Sequence, residues 1–491
     1  MADEERPSVQ PPAEDGPRIG ADEWVARQGE RTAARSGWSA PLVGAFDRVP
    51  PWARLAIVVG LTALVPFVTD SDYIVRVAVN TVLFGLLALG LNVVVGYAGL
   101  LDLGYIAFYG FGAYAYAILS SEQFGYHWPT ELTIVVVVAA SALLGLVLGL
   151  PSWRLIGDYL AIVTLFFAQI FVVLATNADR ITLPWNDAPT DFTGGPNGIA
   201  GLDPMKIFGI QLGSTQSYLW FSLVVFTVVF VGLHLLNESR TGRAWRAQHD
   251  DPLAAEVMSI PVNKLKLIAF MFGAATAGLT GTIFAAIQLG VFPSNFDLPL
   301  LITLYAMVIL GGAGSQWGVV IGAVVISVSL ELLRDPSNAR LLFYGAIVLG
   351  LLVLMRPWRK LAAVAAGTIL FGVVVYQLVD ALRPEWTSGT IEGGRIADLL
   401  DGWVVHPEYS TRLGNIGFVL LIAAVIVLPH LRGLTRLVLT VPTLYLAVFV
   451  WENRLIFEPS VTRILLLGAL LIVLMTARPQ GLLGTPRVEI V

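Results

Sequence analysis

The chain has 491 residues, of which 56% are hydrophobic and 13% are charged, with a formal net charge of −5. Charged residues make up about a quarter of a soluble globular protein, so this composition excludes that class. Repeated uncharged runs of roughly 17–25 residues predict an all-α, polytopic bundle of transmembrane helices. The absence of cysteine excludes disulfides, cysteine-ligated zinc and thiol catalysis. Because the five histidines are scattered, we expect no metal site.

Residues 1–50 are polar, contain prolines and carry charges of both signs. They lack the basic start, apolar core and small-residue cleavage site of a signal peptide, so none is predicted. We expect a largely disordered cytoplasmic extension.

Apolar runs long enough to cross a membrane begin after this extension. They lie near residues 52–69, 73–98, 100–119, 132–150, 159–176, 218–236, 265–289, 297–313, 317–334, 340–355, 361–378, 414–430, 433–451 and 462–477. The sequence therefore predicts about fourteen spans.

The positions of Lys and Arg in short loops predict the orientation of these spans. If the N-terminus is inside, strict alternation places Arg154, the basic group between 240 and 266, and the group 356–360 on the cytoplasmic face. The longer connections 177–217 and 379–413 then lie outside. Both termini are predicted to be cytoplasmic.

Within residues 88–104 an apolar run is interrupted by Gly96, Gly99, Gly104 and the carboxylate of Asp102. Non-helical backbone at membrane depth is tolerated where it is buried in protein or lines a cavity, and transporters expose half-helix ends to substrate in this way. Asp102 is therefore either a substrate contact or a surface residue of a cytoplasmic connection. The predicted substrate-path residues in and beside this stretch are Asn92, Gly96, Tyr97, Gly99, Asp102 and Tyr105.

Residues 193–199 of the first long external connection read TGGPNGI. Glycine and proline favour a tight turn, which suits a rigid contact surface. We therefore predict external docking at Gly194, Gly195, Pro196 and Asn197. The nucleotide-binding pattern Gly-x-x-x-x-Gly-Lys-Ser/Thr occurs nowhere in the 491 residues. If transport uses ATP, the ATPase must be another polypeptide.

The stretch 238–261 is a polar and basic island between two apolar runs. Asp251 can cap a helix whose first residue is Pro252. Leu253 and Val257 share one helical face, so a small apolar surface is predicted to project from a wet loop. Such a helix suits contact with a soluble partner.

An internal similarity links two helix beginnings. DPSNARLLFYG at 335–345 resembles EPSVTRILLLG at 458–468, and Arg-Pro follows at 356–357 and 478–479. Either the terminal helix is duplicated, which leaves 358–457 as an extra membrane module, or a common helix-end pattern arose twice.

Six stretches combine into a highly specific pattern. They read LNVVVGYAGLLDLGYIAFYGFGAY at 91–114, GDYLAIVTL at 157–165, FTGGPNGI at 192–199, GRAWRA at 242–247, VILGGAGS at 308–315 and RPQGLLG at 478–484. Together they resemble the M-type permease of branched-chain amino-acid ABC importers, over roughly residues 73–356 and the last helix.

The resemblance implies a transport subunit without cofactor or enzymatic activity of its own. It implies three kinds of partner: a second permease subunit in a heterodimer, two cytoplasmic ABC ATPases and an external solute-binding protein. Residues 240–260 would form the coupling loop, and about ten spans would form the permease core. The predicted ATPase-coupling residues are Asp251, Leu253, Ala254, Ala255, Glu256, Val257 and Met258.

Two features depart from the family pattern. At 166–169 the family commonly has a glycine-containing stretch that ends in Glu, whereas this chain ends it with Gln169, a further substrate-path candidate. The inserted module is also atypical. The predicted parts are a disordered extension 1–50, a permease core 51–357, a module 358–457 with external loop 379–413, and a terminal helix and tail 458–491.

We interpret the chain as a plasma-membrane permease for Leu, Ile and Val that works by alternating access. Other amino acids, urea and short amides are alternative substrates within the family. An ion-coupled secondary transporter would need paired intramembrane acids or an inverted repeat. A membrane enzyme would need clustered His, Asp or Glu at one depth.

Overall fold

A computed structural model describes most of the chain. The described residues are 49–153, 155, 157–179, 181–183, 186–354, 358–391, 395–407, 411–455, 462, 465, 468 and 481–483. The predicted N-terminal extension and most of the last predicted span lie outside these residues.

Sixteen α-helices, numbered here in chain order, make up most of the described chain. The first nine are α1 Pro51–Val68, α2 Asp72–Asn92, α3 Tyr105–Ser120, α4 Thr130–Gly149, α5 Asp158–Asn177, α6 Thr215–Glu238, α7 Arg240–Asp250, α8 Pro252–Val257 and α9 Val262–Gln288. The others are α10 Leu298–Gly311, α11 Gln316–Leu332, α12 Pro336–Leu354, α13 Trp358–Leu382, α14 Arg395–Leu400, α15 Thr411–Val427 and α16 Gly433–Val450. The all-α prediction is confirmed.

Six short strands lie in the connections between helices of the described chain. They form three antiparallel pairs: β1 Ile181–Leu183 with β2 Asn186–Thr190, β3 Ile199–Ala200 with β6 Gly290–Val291, and β4 Lys206–Ile207 with β5 Ile210–Gln211. In the second pair Ile199 lies opposite Val291, which joins the turn after α5 to the end of α9.

Ten helices among the described residues are long and apolar enough to cross a membrane, or eleven if α11 and α12, whose axes differ by 119°, form one broken span. The polytopic membrane class is therefore confirmed. A helix occupies each predicted span from 52–69 to 433–451, although α3 has only 16 residues. Of the fourteenth predicted span, 462–477, only three positions lie within the described residues.

Helix α9 lies at the centre of the main core and packs along both α3 and α4. The approach is close because small residues face one another. A Cβ atom at Gly112 would overlap the backbone of Gly278, and one at Gly281 would overlap the carbonyl of Tyr109. The small residues Gly278 and Gly281 of α9 thus let the backbones approach, as is common between membrane helices.

A second, smaller hydrophobic cluster joins α12 to α15 and α16. At its centre Arg340 and Glu452, whose side chains are 4% and 0% exposed, form an ion pair at 3.0 Å. The Tyr344 hydroxyl donates to the same carboxylate at 2.8 Å, and Phe343 stacks on Trp451 with ring centroids 4.1 Å apart. Helix α12 therefore packs with the C-terminal helices, although the predicted permease core 51–357 includes it.

This buried pair should be essential to the stability of the second cluster. Breaking a buried ion pair on one side costs about 3–5 kcal/mol, because the remaining charge is left unpaired. We therefore expect Arg340→Met to lower the thermal midpoint of the detergent-solubilised protein strongly, and Arg340→Met with Glu452→Leu to recover much of that loss.

Arg334 provides a matched control. Its pair with Glu331 spans 3.4 Å and its side chain is 63% exposed, so Arg334→Met should cost about 1 kcal/mol or less. Equal midpoints for Arg340→Met and Arg334→Met would contradict the importance of the buried pair.

Candidate coupling and substrate-path site

Helix α2 does not continue into α3 but ends in a π-helical turn over Val93–Tyr97. The Ala98 amide donates to the Val93 carbonyl at 3.1 Å and the Leu100 amide to the Val94 carbonyl at 3.0 Å, so the turn is widened. Gly99 then takes a φ of +70°, which ends the helix. The predicted interruption is present, and π-helical turns of this kind are frequent at functional sites.

Glycine at position 96 is required by close packing against the loop after α10. The Asn92 Oδ1 atom accepts a hydrogen bond from the Gly314 amide at 2.8 Å. A Cβ atom at Gly96 would overlap both Asn92 Oδ1 and the Gly314 nitrogen. The motif at 91–114 and the motif at 308–315 are therefore in direct contact.

Residues 481–483 of the closing motif contact the end of α10 and the loop that follows it. The Leu482 amide donates to the Leu310 carbonyl at 2.8 Å, and the Leu483 amide donates to the Gly311 carbonyl at 3.0 Å. Gly481 has a φ of +72° and packs against the Gly312 backbone, where a side chain would not fit. These bonds satisfy carbonyls that the end of α10 leaves without helical partners.

Asp102 lies inside the protein. It is 1% exposed, its carbonyl accepts from the Tyr305 hydroxyl at 2.7 Å, and the next amide, that of Leu103, donates to Thr164 Oγ1 at 2.9 Å. Thr164 and Tyr305 are each six residues from the nearer end of α5 or α10, about 9 Å along the helix axis. The alternative that Asp102 is a surface residue is therefore wrong.

Several polar atoms around this break have no hydrogen-bond partner among the described residues. One carboxylate oxygen of Asp102 accepts from the Gly104 amide at 2.9 Å, but Oδ2 has no partner. The Tyr97 and Tyr105 hydroxyls and Asn92 Nδ2 also make no hydrogen bond of good geometry with the described residues, although the Tyr97 hydroxyl lies near Asn92 and the Tyr105 hydroxyl near the Leu91 backbone. Buried polar groups without partners are costly, so this group of atoms has capacity to bind a polar ligand or water.

The structure places most of the predicted substrate-path residues at the break but places Gln169 elsewhere. Asn92, Gly96, Tyr97 and Tyr105 are buried around the break, whereas Gly99, where the helix ends, is exposed. Gln169 does not join them. It lies on an exposed face of α5, well around the helix from Thr164, which faces the break.

The predicted external turn is also present. Asp191 Oδ1 accepts from the Gly194 amide at 2.6 Å, and a short 3₁₀ helix covers Gly195–Asn197. Gly194 and Gly195 have φ values of +69° and +56°, which fix the tight turn. Pro196 and Asn197 are exposed, whereas Gly195 is buried. Docking at this turn remains a prediction.

The basic island folds into two helices, of which the first, α7, was not predicted. Ser239 caps it by accepting from the Gly242 amide at 3.4 Å. Gly242, Trp245 and Gln248 are buried on one face of α7, three residues apart. That spacing, together with the capping serine, is the signal in the sequence that would have identified this helix.

The second helix, α8, has the predicted cap. Asp251 Oδ1 accepts from the amides of Leu253 and Ala254 at 2.9 and 3.0 Å. The side chains of Leu253, Val257 and Met258 are 75%, 84% and 76% exposed, and Ala254 and Glu256 are exposed as well.

The prediction that Ala255 contacts the ATPase is wrong. Ala255 is only 4% exposed and faces its own chain, so its side chain is not available to a partner that docks on α8. The predicted apolar face is exposed, and Ala255 lies on the opposite, inward face, where its carbonyl accepts from the Ile260 amide at 3.0 Å.

Helix α7 contacts the end of α2 directly. Gln248 Nε2 donates to the Ala98 carbonyl at 3.1 Å. The Tyr97 and Trp245 rings stack with centroids 6.5 Å apart. Trp245 Nε1 also donates to the Leu265 carbonyl at 2.9 Å, which fixes α7 to the start of α9. The break and α7, which leads directly into α8, therefore form one packed site.

Residues 73–356, more than half of the chain, match the family described as the permease component of branched-chain amino acid transport systems. The chain belongs to this permease family. The LivM permease protein of the high-affinity branched-chain amino acid transport system of Escherichia coli K12 is 38% identical over 308 residues. That alignment covers 58% of this chain and 68% of the relative.

Two further permeases of branched-chain amino acid transport systems are similar to this chain. LivM of Salmonella typhimurium is 39% identical over 308 residues, with the same coverage of 58% and 68%. The BraD permease of Pseudomonas aeruginosa is 25% identical over 289 residues, which cover 56% of this chain and 89% of the relative. No solved structure matches the chain. The resemblance to the M-type permeases is confirmed.

The permease-family match contains most of the packed site. It includes the π-helical break, helices α7 and α8, and the glycine loop 311–315, but it ends at residue 356. The module 358–457 lies beyond it. Within the described residues there is no group of three or more His, Asp or Glu that could hold a metal ion.

The close contact at Gly96 leads to a test in this permease. Gly96→Ala forces a Cβ atom onto Asn92 and Gly314, and such overpacking costs about 1–3 kcal/mol. We expect a clearly lowered thermal midpoint in detergent and reduced substrate uptake.

Gly232→Ala is the matched control, because nothing lies within 4 Å of a Cβ atom at that position in α6. Replacing a glycine inside a helix by alanine there should be neutral or stabilising by about 0.5–1 kcal/mol. A Gly96→Ala protein as stable and active as Gly232→Ala would refute the packing role of Gly96.

Proposed function

We propose that this chain is the M-type permease subunit of an ATP-driven importer for leucine, isoleucine and valine, in the plasma membrane with both termini cytoplasmic. The observation that carries the proposal is the apolar surface of α8. Leu253, Val257 and Met258 are exposed on a capped helix between two long spans of a permease-family chain. Exposed apolar patches of this kind mark interaction sites.

Three kinds of partner follow from this proposal. Two cytoplasmic ABC ATPases supply the hydrolysis, since the sequence has no nucleotide-binding loop of its own. One of them docks on α8 through Leu253, Ala254, Glu256, Val257 and Met258. A second permease subunit completes a heterodimer, and an external solute-binding protein contacts the turn at Gly194–Asn197.

The substrate path passes the end of α2. An amino acid carries an ammonium group, and Asp102 Oδ2 is a buried acceptor without a partner in the described chain. In the present conformation Asp102 is closed off from solvent. Alternating access would open the break to the cytoplasm, so that Asp102, Tyr97 and Tyr105 meet the polar end of the substrate.

We also propose that the permease core, 51–357, is completed by the terminal segment 458–491, with 358–457 as an inserted membrane module. The bonds from Leu482 and Leu483 to the end of α10 support this, because the chain returns to the core after the module. The packing of Arg340 against Glu452 supports a role for α12 as the helix that holds the module to the core.

The coupling role of α8 can be tested by charge reversal on its exposed face. Leu253→Arg with Glu256→Lys should abolish co-purification of the ATPase and ATP-dependent uptake, because a hydrophobic contact and an acidic group are both removed. Folding should be retained, since both side chains are exposed, and size-exclusion chromatography in detergent measures this.

Leu434→Arg is the matched control. Leu434 is 74% exposed, close to the 75% of Leu253, and lies at the start of α16 on the predicted cytoplasmic side. ATPase association should survive this change. If the double variant of α8 keeps normal uptake, the coupling role of this helix is excluded.

The transport activity itself is tested by reconstitution. The chain, its partner permease and the ATPases should import radiolabelled leucine, isoleucine and valine into proteoliposomes only with binding protein and ATP. Purification without an ATPase under mild detergent, together with uptake driven by an ion gradient alone, would instead identify a secondary transporter. Urea and short amides serve as competitors that define the substrate class.

A further inference from the structure

The end of α2 carries a carbonyl that its own helix cannot satisfy. The last carbonyls of any helix lack helical partners, and at membrane depth water is not present to replace them. Here the Ala98 carbonyl, on a residue that is 2% exposed, accepts from Gln248 Nε2 at 3.1 Å. Gln248 is itself 2% exposed. The cap on α2 is thus supplied by a helix from the cytoplasmic loop.

Two further contacts lie beside this bond. The Tyr97 ring stacks on Trp245 with an interplanar angle of 19°. His249 lies against Gly99, where an added Cβ atom would come within 2.9 Å of His249 Nδ1. Three consecutive residues of the break, 97 to 99, therefore touch three residues of α7. The break and α7 form a single packed unit.

The other end of α7 is joined to α8 without a flexible linker. Helix α7 ends at Asp250 and α8 begins at Pro252, so Asp251 alone separates them. The Asp251 amide donates to the Ala247 carbonyl at 3.1 Å, while the Asp251 side chain caps α8. A displacement of α8 is therefore passed to α7 directly.

We propose that Gln248 is the positioning residue that couples movement of α8 to the π-helical end of α2, so that displacement of the cytoplasmic helix pair opens or closes the break beside Asp102. This inference rests on the proposed function. The hydrogen bond to Ala98 supplies the connection, and Trp245, fixed to Leu265, supplies the pivot. Gln248 acts through the break and does not touch the substrate.

The test compares two glutamines of the same chemistry. Gln316 Nε2 donates to the Phe230 carbonyl at 2.7 Å and the residue is 7% exposed, but this bond joins α11 to α6 and does not involve α7. Gln248→Met and Gln316→Met each remove one buried hydrogen bond with little change of volume. Both should lower the thermal midpoint to a similar extent.

Only Gln248→Met should lower the number of leucine molecules imported per ATP hydrolysed in the reconstituted complex, by about fivefold or more, the size of a typical coupling between sites. ATPase co-purification and basal hydrolysis should stay at the wild-type level. An unchanged ratio for Gln248→Met, or an equal loss for Gln316→Met, overturns the inference.

A second variant keeps the test decisive if Gln248→Met does not assemble. Gly99→Ala would place a Cβ atom 2.9 Å from His249 Nδ1 at a position with a φ of +70°, and should therefore displace α7, with Gln248, from the end of α2. It should reduce the same ratio, and an unchanged ratio would overturn the inference. A wild-type complex that lacks an ATPase would overturn the proposed function and this inference together, whereas normal wild-type coupling with unaffected variants overturns only the inference.

Discussion

The need to satisfy backbone polar groups at membrane depth governs this structure. An uninterrupted helix satisfies them internally, but α2 ends inside the protein and exposes several amides and carbonyls to an apolar environment. Thr164, Gln248 and Tyr305, from three different helices, bind the groups at 98, 102 and 103. The break therefore fixes the relative positions of α5, α7 and α10, and the rest of the core is arranged around it.

Glycine residues allow three segments of the core to pack closely beside this break. At Gly96, Gly312 and Gly481 three segments that are far apart in the sequence approach until their backbones touch, and a side chain on Gly96 or Gly481 would separate them. Three motifs of the permease family, at 91–114, 308–315 and 478–484, thus meet at one place. The number of residues between two motifs reflects how many times the chain crosses the membrane before it returns to that place.

The sequence predicted features that depend on neighbours along the chain. The helix interruption, the Asp251 cap and the turn at Gly194–Asn197 follow from local residue preferences. The depth of Asp102, the inward face of Ala255 and the separation of Gln169 from the break depend on which helices pack together, which no local pattern specifies. Helix α7 was not predicted because its many charged residues obscure a buried face. That face consists of Gly242, Trp245 and Gln248, which recur every three residues.

The bonds from Leu482 and Leu483 to the end of α10 have a consequence for biogenesis. During synthesis, N-terminal parts of a chain fold first. The carbonyls of Leu310 and Gly311, which these bonds satisfy, emerge before the whole module 358–457 has been made. Membrane insertion of the core must therefore pass through a stage in which the carbonyls at the end of α10 lack these partners, until the closing motif has been synthesised.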